Sequence, residues 1–329
     1  MSQKKPNSMI LGTGKAVPER ILTNHDLEKM VDTSDEWIRT RTGIERRHIA
    51  DDHIKNSDLA SQAARAALED AGMSAEEIDV ILLATVTGDA TFPATACYVQ
   101  EKIGAVNAAA MDLSAACSGF LYGMTLADSL IAAGKAKHVL VIGVEILSRI
   151  TDWTDRSTCV LFGDGAGAAV FGPAKNGAGV IDTYMKSDGR LTHLLCMIGG
   201  GTSVPLQVAV EENLIYLKME GPEVFKAAVT AMGDAAARIL EANGMTGDDV
   251  DLLIPHQANI RIIKATSKRL GLDDEKVYIN VQEYGNTSAA SIPIAIAEAR
   301  EKGILKPGMT TLLVAFGGGF TWGSAIVKF

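Results

Sequence analysis

The chain has 329 residues, of which 47% are hydrophobic, 5% aromatic and 22% charged. This length suits one large domain or two fused halves, and the Gly- and Ala-rich, aromatic-poor composition fits a compact α/β protein rather than a disordered or fibrous one. A net charge of −9 argues against a nucleic-acid-binding surface overall, and no apolar stretch approaches the ~18–20 residues that span a bilayer.

The opening residues carry two lysines but no adequate apolar run or cleavage site, so no signal peptide is read and a cytoplasmic location is expected. Periodicity then predicts a helix over 59–71, a buried strand over 80–86, a helix over 119–133, and strands over 139–144 and 168–171. In the second half it predicts helices over 222–242, 260–270 and 289–301, with strands over 252–254, 312–316 and 324–327. Strands interleaved with helices imply a buried sheet covered on both faces.

The two halves resemble each other. Glu69-Asp-Ala-Gly-Met-Ser-Ala-Glu-Glu-Ile-Asp-Val-Ile-Leu-Leu is echoed 172 residues later by Glu241-Ala-Asn-Gly-Met-Thr-Gly-Asp-Asp-Val-Asp-Leu-Leu-Ile-Pro. In each, a helix ends at a glycine suited to a left-handed cap, and an acidic turn leads into a strand. Val139-Leu-Val-Ile-Gly and Thr311-Leu-Leu-Val-Ala match at the same offset. Chance similarity of two common helix–turn–strand units is the alternative. Two matches in one register favour an internal duplication, dividing the chain into halves 1–175 and 176–329, with the boundary near residues 173–179.

Four cysteines, Cys97, Cys117, Cys159 and Cys196, show no CxxC pairing, which argues against a disulfide framework or a zinc site. Cys117 lies in Asp112-Leu-Ser-Ala-Ala-Cys-Ser-Gly-Phe, a small-residue turn before a long predicted helix. A helix N-terminus favours an anion, so the thiol pKa is expected to fall below its usual ~8.5. Its small neighbours leave room for an acyl group. Cys97 and Cys196 lack such a turn, and Cys159 precedes a strand. His256 follows a strand in Leu252-Leu-Ile-Pro-His-Gln-Ala-Asn, and Asn286 lies in Tyr284-Gly-Asn-Thr-Ser-Ala-Ala-Ser. Taken singly, the three read equally well as a packing residue, a helix cap and a turn residue. All three, however, fall in loops opening onto helices, where the ends of strands in an α/β sheet form a ligand crevice.

Ala115-Ala-Cys-Ser-Gly-Phe, His256-Gln-Ala-Asn-Ile-Arg, Gly285-Asn-Thr-Ser-Ala-Ala-Ser and Ala315-Phe-Gly-Gly-Gly-Phe-Thr-Trp-Gly resemble the motifs of the β-ketoacyl-[acyl carrier protein] synthase III family, in order and spacing. The resemblance runs from Ile10-Leu-Gly-Thr-Gly to the C-terminus. It implies a duplicated thiolase-like α/β fold, two similar halves forming an αβαβα sandwich. It also implies that Cys117 takes an acyl group, with acetyl the expected primer, from coenzyme A. Malonyl-[acyl carrier protein] then loses carbon dioxide, and its enolate attacks the Cys117 thioester, starting a fatty-acid chain. His256 and Asn286 would donate hydrogen bonds to the enolate oxygen, and His256 would help activate the thiol. The backbone N–H groups of Cys117 and Gly318 would form a second oxyanion hole. No metal or other cofactor is implied, since the coenzyme A thioester is a substrate.

By the same resemblance, Trp37 and Arg156 would sandwich the adenine ring of coenzyme A, Arg41 would meet its phosphates, and Phe225 and Asn259 would line the pantetheine arm. Phe92 and Phe162 would shape the acyl pocket, Phe92 from across a homodimer interface. Pro222 departs from relatives that carry Asn there, and any side-chain contact at that position is lost. Residues Gln257, Ala258, Asn259 and Ile260, with Arg261, Lys264, Lys268 and Arg269, would bind acyl carrier protein. Arg261, Lys264 and Lys268 share one helical face at i, i+3 and i+7, and a basic stripe on an acidic protein suits an acidic partner. A plain solvated face is the alternative.

Rival readings are weighed feature by feature. Thiolases need a second cysteine near the C-terminal glycines, and Gly317-Gly-Gly-Phe-Thr-Trp-Gly has none. Elongating ketosynthases use two histidines, and Asn286 stands where the second would be. Chalcone-synthase-like enzymes generally have longer chains. Secondary-metabolite relatives that use another acyl starter or nucleophile remain the runner-up. A non-enzymatic homologue that binds carrier protein would be distinguished by an inability to label Cys117.

Overall fold

A computed structural model describes residues 5–329 of the protein. Val80-Ile-Leu-Leu-Ala and Val139-Leu-Val-Ile-Gly-Val-Glu are buried at every residue, the signature of strands covered on both faces. The first sheet contains β1 (Ser8–Ala16), β2 (Val80–Ala84), β3 (Ala109–Leu113), β4 (Val139–Glu145) and β5 (Gly165–Pro173) in the spatial order β1-β5-β4-β2-β3. The second contains β6 (Gly179–Ser187), β7 (Leu252–Pro255), β8 (Thr310–Gly317) and β9 (Thr321–Lys328) in the order β7-β8-β9-β6. Strand β2 runs parallel to β3 and β4, whereas β5 is antiparallel to both β4 and β1. In the second sheet β7 is parallel to β8, and β9 is antiparallel to β8 and β6.

Helices fill three layers around these sheets. The outer face of the first sheet is covered by α2 (Asn56–Ala71) and α3 (Thr95–Ile103), following the short α1 (Asp35–Thr42). Between the sheets lie α4 (Gly119–Ala132) and α7 (Ser291–Glu301), and their Phe120, Leu121, Met124, Ile292 and Ile296 are buried against both. Burying one such side chain contributes roughly 1.5–3 kcal/mol, so this middle layer clamps the two sheets together. Helices α5 (Gly221–Ala242) and α6 (Ile260–Arg269) close the far face. The result is the expected α/β architecture, an αβαβα sandwich.

The repeat continues well beyond the matched letters. Gly72 and Gly244 both have left-handed φ values, 63° and 65°. Met73 N donates to Leu68 O at the end of α2, as Met245 N donates to Leu240 O after α5. The helices α4 and α7 begin at Gly119 and Ser291, also 172 residues apart. Each is preceded by a 3-10 turn, Ala116–Ser118 or Ser288–Ala290. Both turns open on a non-glycine residue with positive φ, Ala116 at 44° and Ser288 at 48°.

Several predicted boundaries move, with the elements predicted from 59, 168 and 324 beginning at Asn56, Gly165 and Thr321, and two of the changes have a clear physical reason. Strand β2 ends at Ala84 because Thr85 and Val86 turn aside to hydrogen-bond the buried Glu145 carboxylate. The helix predicted from residue 289 begins at Ser291, since Ser288–Ala290 forms the tighter turn. Strands β1, β3 and β6 were not predicted. Gly and Ala interrupt β1, β3 is only five residues long with Asp112 among them, and Asp182, Thr183 and Lys186 break the apolar run of β6.

Candidate active site

The two 3-10 turns meet between the sheets, beneath a cavity of about 1020 Å³. Cys117, His256 and Asn286 all line it, with Cys117 on the first turn, His256 just after β7 and Asn286 just before the second turn. The same cavity is lined by Trp37, Arg41, Phe162, Phe225 and Asn259, so the three polar residues share one cavity with residues expected to meet coenzyme A.

Local bonding fixes how each group faces the cavity. His256 Nδ1 lies 2.7 Å from Ser291 Oγ, which also accepts from the Gln257 backbone N–H at 3.4 Å. Nδ1 is the one acceptor that meets the serine hydroxyl among the described residues, so the hydroxyl is assigned as the donor to Nδ1 and Nε2 carries the imidazole proton. Burial pushes His256 down to about 3, and the ring is neutral at physiological pH. Asn286 Oδ1 accepts from Ser288 N at 2.9 Å, which commits the oxygen to the protein and leaves the amide as the donor. Two neutral donors therefore line the cavity that also holds the thiol. That arrangement suits an oxygen developing negative charge.

Gly317 presses against the cysteine turn. A Cβ on it would lie 2.5 Å from Cys117 N and 3.0 Å from Cys117 Cβ, so no side chain fits there. Gly318, next along the chain, also lines the cavity. Thr321 ties the two halves together here, its one hydroxyl proton reaching Ala115 O at 2.8 Å with Gly318 O as a longer alternative at 3.2 Å. Ser118 in return donates to Thr321 O at 3.1 Å.

The expectation of a lowered thiol pKa is corrected. Burial pushes the Cys117 thiol up to about 12, with the buried Glu145 carboxylate adding to the rise and a Ser288 hydrogen bond opposing it. Loss of hydration outweighs the helix terminus at a site this enclosed, so the resting group is a thiol.

Other expected residues fall in varied places. The Arg41 and Arg156 guanidinium carbons stand 5.2 and 5.0 Å from the Trp37 ring centre. Two planes holding a base between them stand about 7 Å apart, twice an ordinary ~3.5 Å stacking contact, so the expected Trp37–Arg156 sandwich is closed. Arg156 is held there by donating to Asp32 O at 2.8 Å. Asn259 caps α6 by accepting from Arg261 N at 2.8 Å. The Arg261 guanidinium stacks over Phe225 at 5.0 Å.

Gln257 is corrected as a carrier-protein contact. It is 1% exposed, donates to Pro255 O and Tyr278 O, and accepts from Asn280 N. Ala258 and Ile260 are half-buried, while Arg261, Lys264, Lys268 and Arg269 are exposed. Arg269 is already paired with Asp234. Phe92 does not line this cavity and is 86% exposed. Sequence reasoning missed Glu145, Ser288, Ser291 and Thr321, whose ordinary polar letters gain meaning only when distant segments meet.

Comparison with known proteins agrees with this geometry. Models of 3-oxoacyl-[acyl-carrier-protein] synthase III match residues 111–189, and those of its C-terminal part match residues 240–329. The chain is 55% identical to the β-ketoacyl-[acyl-carrier-protein] synthase III of Caldanaerobacter subterraneus subsp. tengcongensis over 320 residues, 97% of each chain. The crystal structure of 3-oxoacyl-[acyl-carrier-protein] synthase III from Aquifex aeolicus VF5 superposes with a TM-score of 0.92 at 49% identity, covering 98% of this chain and 100% of that one. The priming β-ketosynthase of the R1128 polyketide biosynthetic pathway is more distant, at 34% identity and a TM-score of 0.91, covering 100% of this chain and 98% of that one. The chain belongs to the β-ketoacyl-[acyl-carrier-protein] synthase III family.

Proposed function

We propose that the protein condenses a short acyl-CoA primer, acetyl-CoA foremost, with malonyl-[acyl carrier protein] by a decarboxylative Claisen reaction, initiating fatty acid synthesis. The observation that carries this reading is that one thiol and two neutral donors line a single cavity of about 1020 Å³ together with residues expected to hold coenzyme A.

Cys117 attacks the primer thioester, and coenzyme A leaves. Malonyl-[acyl carrier protein] then enters, and breaking its bond to the carboxylate leaves an electron pair that spreads onto the thioester oxygen. His256 Nε2–H and the Asn286 amide donate to that oxygen. The loss of a single donor of this kind costs about 2.7–4 kcal/mol of transition-state stabilisation. The enolate carbon attacks the acyl-Cys117 carbonyl, whose oxygen is met by the N–H groups of Cys117 and Gly318, and the Cys117 sulfur departs with its electron pair. No other cofactor is needed. Trp37, Arg41 and Arg156 hold the nucleotide end, Phe225 and Asn259 the arm, and Phe162 bounds the acyl pocket. Arg261, Lys264 and Lys268 form the carrier-protein face. The halves 1–175 and 176–329 divide the work, one bringing the nucleophile and the other the two donors. A homodimer, with exposed Phe92 reaching the partner's pocket, and a cytoplasmic location complete the reading.

Incubation with radiolabelled acetyl-CoA, followed by malonyl-[acyl carrier protein], tests it. Label should appear on Cys117 and then leave as 3-oxoacyl product, whereas absence of label on Cys117 would refute the mechanism. Likeness to a priming ketosynthase of polyketide synthesis favours a second reading, in which the primer is a different acyl group. A panel of straight and branched acyl-CoA primers separates the two.

A further inference from the structure

Glu298 has no place in the mechanism above, although it is 7% exposed and lies on α7, the helix whose first residue, Ser291, meets His256. Four donors surround its carboxylate. Oε2 accepts from Tyr278 Oη at 3.0 Å and Asn280 Nδ2 at 2.8 Å. Oε1 accepts from Tyr284 Oη at 3.2 Å and Lys302 Nζ at 2.7 Å. Glu298, Tyr278, Asn280 and Tyr284 are all absent from the cavity lining, so this carboxylate acts on the site only through other groups.

The segment from Tyr278 to Tyr284 connects the surroundings of His256 to those of Asn286. At its first end the chain runs beside β7, where Val277 pairs with Leu253 and Tyr278 N donates to Leu253 O at 2.9 Å. Past the end of β7 the Gln257 side chain takes over the ladder. Its Nε2 donates to Tyr278 O at 3.1 Å and its Oε1 accepts from Asn280 N at 2.9 Å. Gln257 follows His256 directly, so this end of the segment fixes the backbone that carries the imidazole. One helical turn, Val281–Tyr284, leads to the other end. There the Tyr284 carbonyl packs so closely on Gly163 that a Cβ at Gly163 would lie 2.3 Å from its oxygen. Gly163 N in turn donates to Asn286 O at 3.1 Å. The place of Tyr284 is thereby passed to Asn286, two residues on.

We infer that Glu298 is a positioning residue for both enolate donors, one carboxylate oxygen holding the end of the segment that supports His256 and the other the end that leads to Asn286. The inference rests on the proposed condensation. A carboxylate suits the task because two hydroxyls, an amide and an ammonium all donate to it, and neither oxygen can be exchanged for a donor. The spacing of the two ends is then set by a single group. Placement of this kind matters to rate, since a displacement of ~1 Å can cost about 100-fold. Transfer of acetyl to Cys117 uses neither enolate donor, so the brace serves the second half-reaction alone.

The test compares carbon dioxide release from labelled malonyl-[acyl carrier protein] with acetyl labelling of Cys117, at a temperature where circular dichroism shows every variant folded. Glu298→Gln turns one acceptor oxygen into an amide that faces two donors. Its kcat for decarboxylation should fall about 10-fold, a part of the ~10²–10³ that loss of a whole donor costs, with KM and acetyl labelling close to unaltered. Tyr284→Phe loses one hydroxyl, should show a smaller fall of the same kind, and serves if the glutamine variant does not fold. The deciding measurement repeats the tyrosine changes in an Asn286→Ala background. With the Asn286 amide already gone, Tyr284→Phe should cost nothing further, whereas Tyr278→Phe, at the His256 end, should cost as much as before. A merely structural role makes Tyr284→Phe equally costly in both backgrounds, and that result overturns the inference. So does unaltered decarboxylation in Glu298→Gln and Tyr284→Phe. Failure of the unaltered protein to release carbon dioxide overturns the condensing reading instead.

Discussion

The serine behind the His256 imidazole gives a discriminating test of how the proposed site divides its labour. Ser291→Ala removes the hydroxyl that lies 2.7 Å from His256 Nδ1, in a position 2% exposed where water cannot replace it. An unsatisfied buried acceptor costs about 1–3 kcal/mol. The imidazole can relieve this by shifting its proton to Nδ1, which turns Nε2 from donor to acceptor and removes one of the two donors to the enolate oxygen. At about 1.4 kcal/mol per tenfold in rate, decarboxylation of malonyl-[acyl carrier protein] should fall roughly 5- to 150-fold. Transfer of acetyl label to Cys117 should be nearly unchanged, because that step does not use Nε2–H. Ser291→Thr keeps a hydroxyl and should recover most of the loss. The assay is paired, with carbon dioxide release from labelled malonyl substrate beside acetyl labelling of Cys117. An equal fall in both half-reactions would refute the division of roles, and so would full decarboxylation activity in the alanine variant.

Four further outcomes are expected. Gly317→Ala puts a Cβ 2.5 Å from Cys117 N, so both half-reactions should collapse and the melting temperature should fall. Trp37→Ala should raise KM for acetyl-CoA by roughly 5- to 150-fold, the equivalent of ~1–3 kcal/mol of base stacking, with little change in kcat. Because Arg156 covers the ring in the resting protein, coenzyme A binding should also change the fluorescence of Trp37. Lys264→Glu, on the exposed face of α6, should raise KM for malonyl-[acyl carrier protein] while leaving acetyl labelling intact; Arg261 is a less clean test because it also lines the cavity. Finally, the folded-state pKa of His256 is depressed from 6.5 to about 3. The unfolded chain therefore binds a proton that the folded one refuses, and stability should fall as pH drops from about 6.5 toward 3. His256→Asn should flatten that part of an acid-denaturation curve.

Legibility followed the length and purity of each signal. The apolar runs of β2, β4 and β8 and the 172-residue register predicted the paired sheets because a continuous buried strand and a glycine-capped helix leave strong local marks. Strand β3 left none, being five residues long, Ala-rich and interrupted by Asp112. Cys117, His256 and Asn286 stood out through their motifs, and the fold brings them to one cavity. Their supporting groups did not stand out, because Glu145 reads as the end of a strand and Ser291 as the start of a helix until the 145 intervening positions are folded away. The thiol pKa failed for a different reason. A helix terminus can be read from a turn, but the extent of burial cannot.

The two left-handed turns at Ala116 and Ser288 share a backbone but not access. In the first, the residue after the strained position is Cys117, at the cavity floor; in the second it is Ala289, 1% exposed, with its carbonyl so close to Gly143 that a Cβ there would sit 2.2 Å away. A cysteine grafted at Ala289 would meet sheet rather than substrate. Symmetry supplied the scaffold twice, but packing admits a primer at one turn alone, so each chain can carry a single growing product at a time.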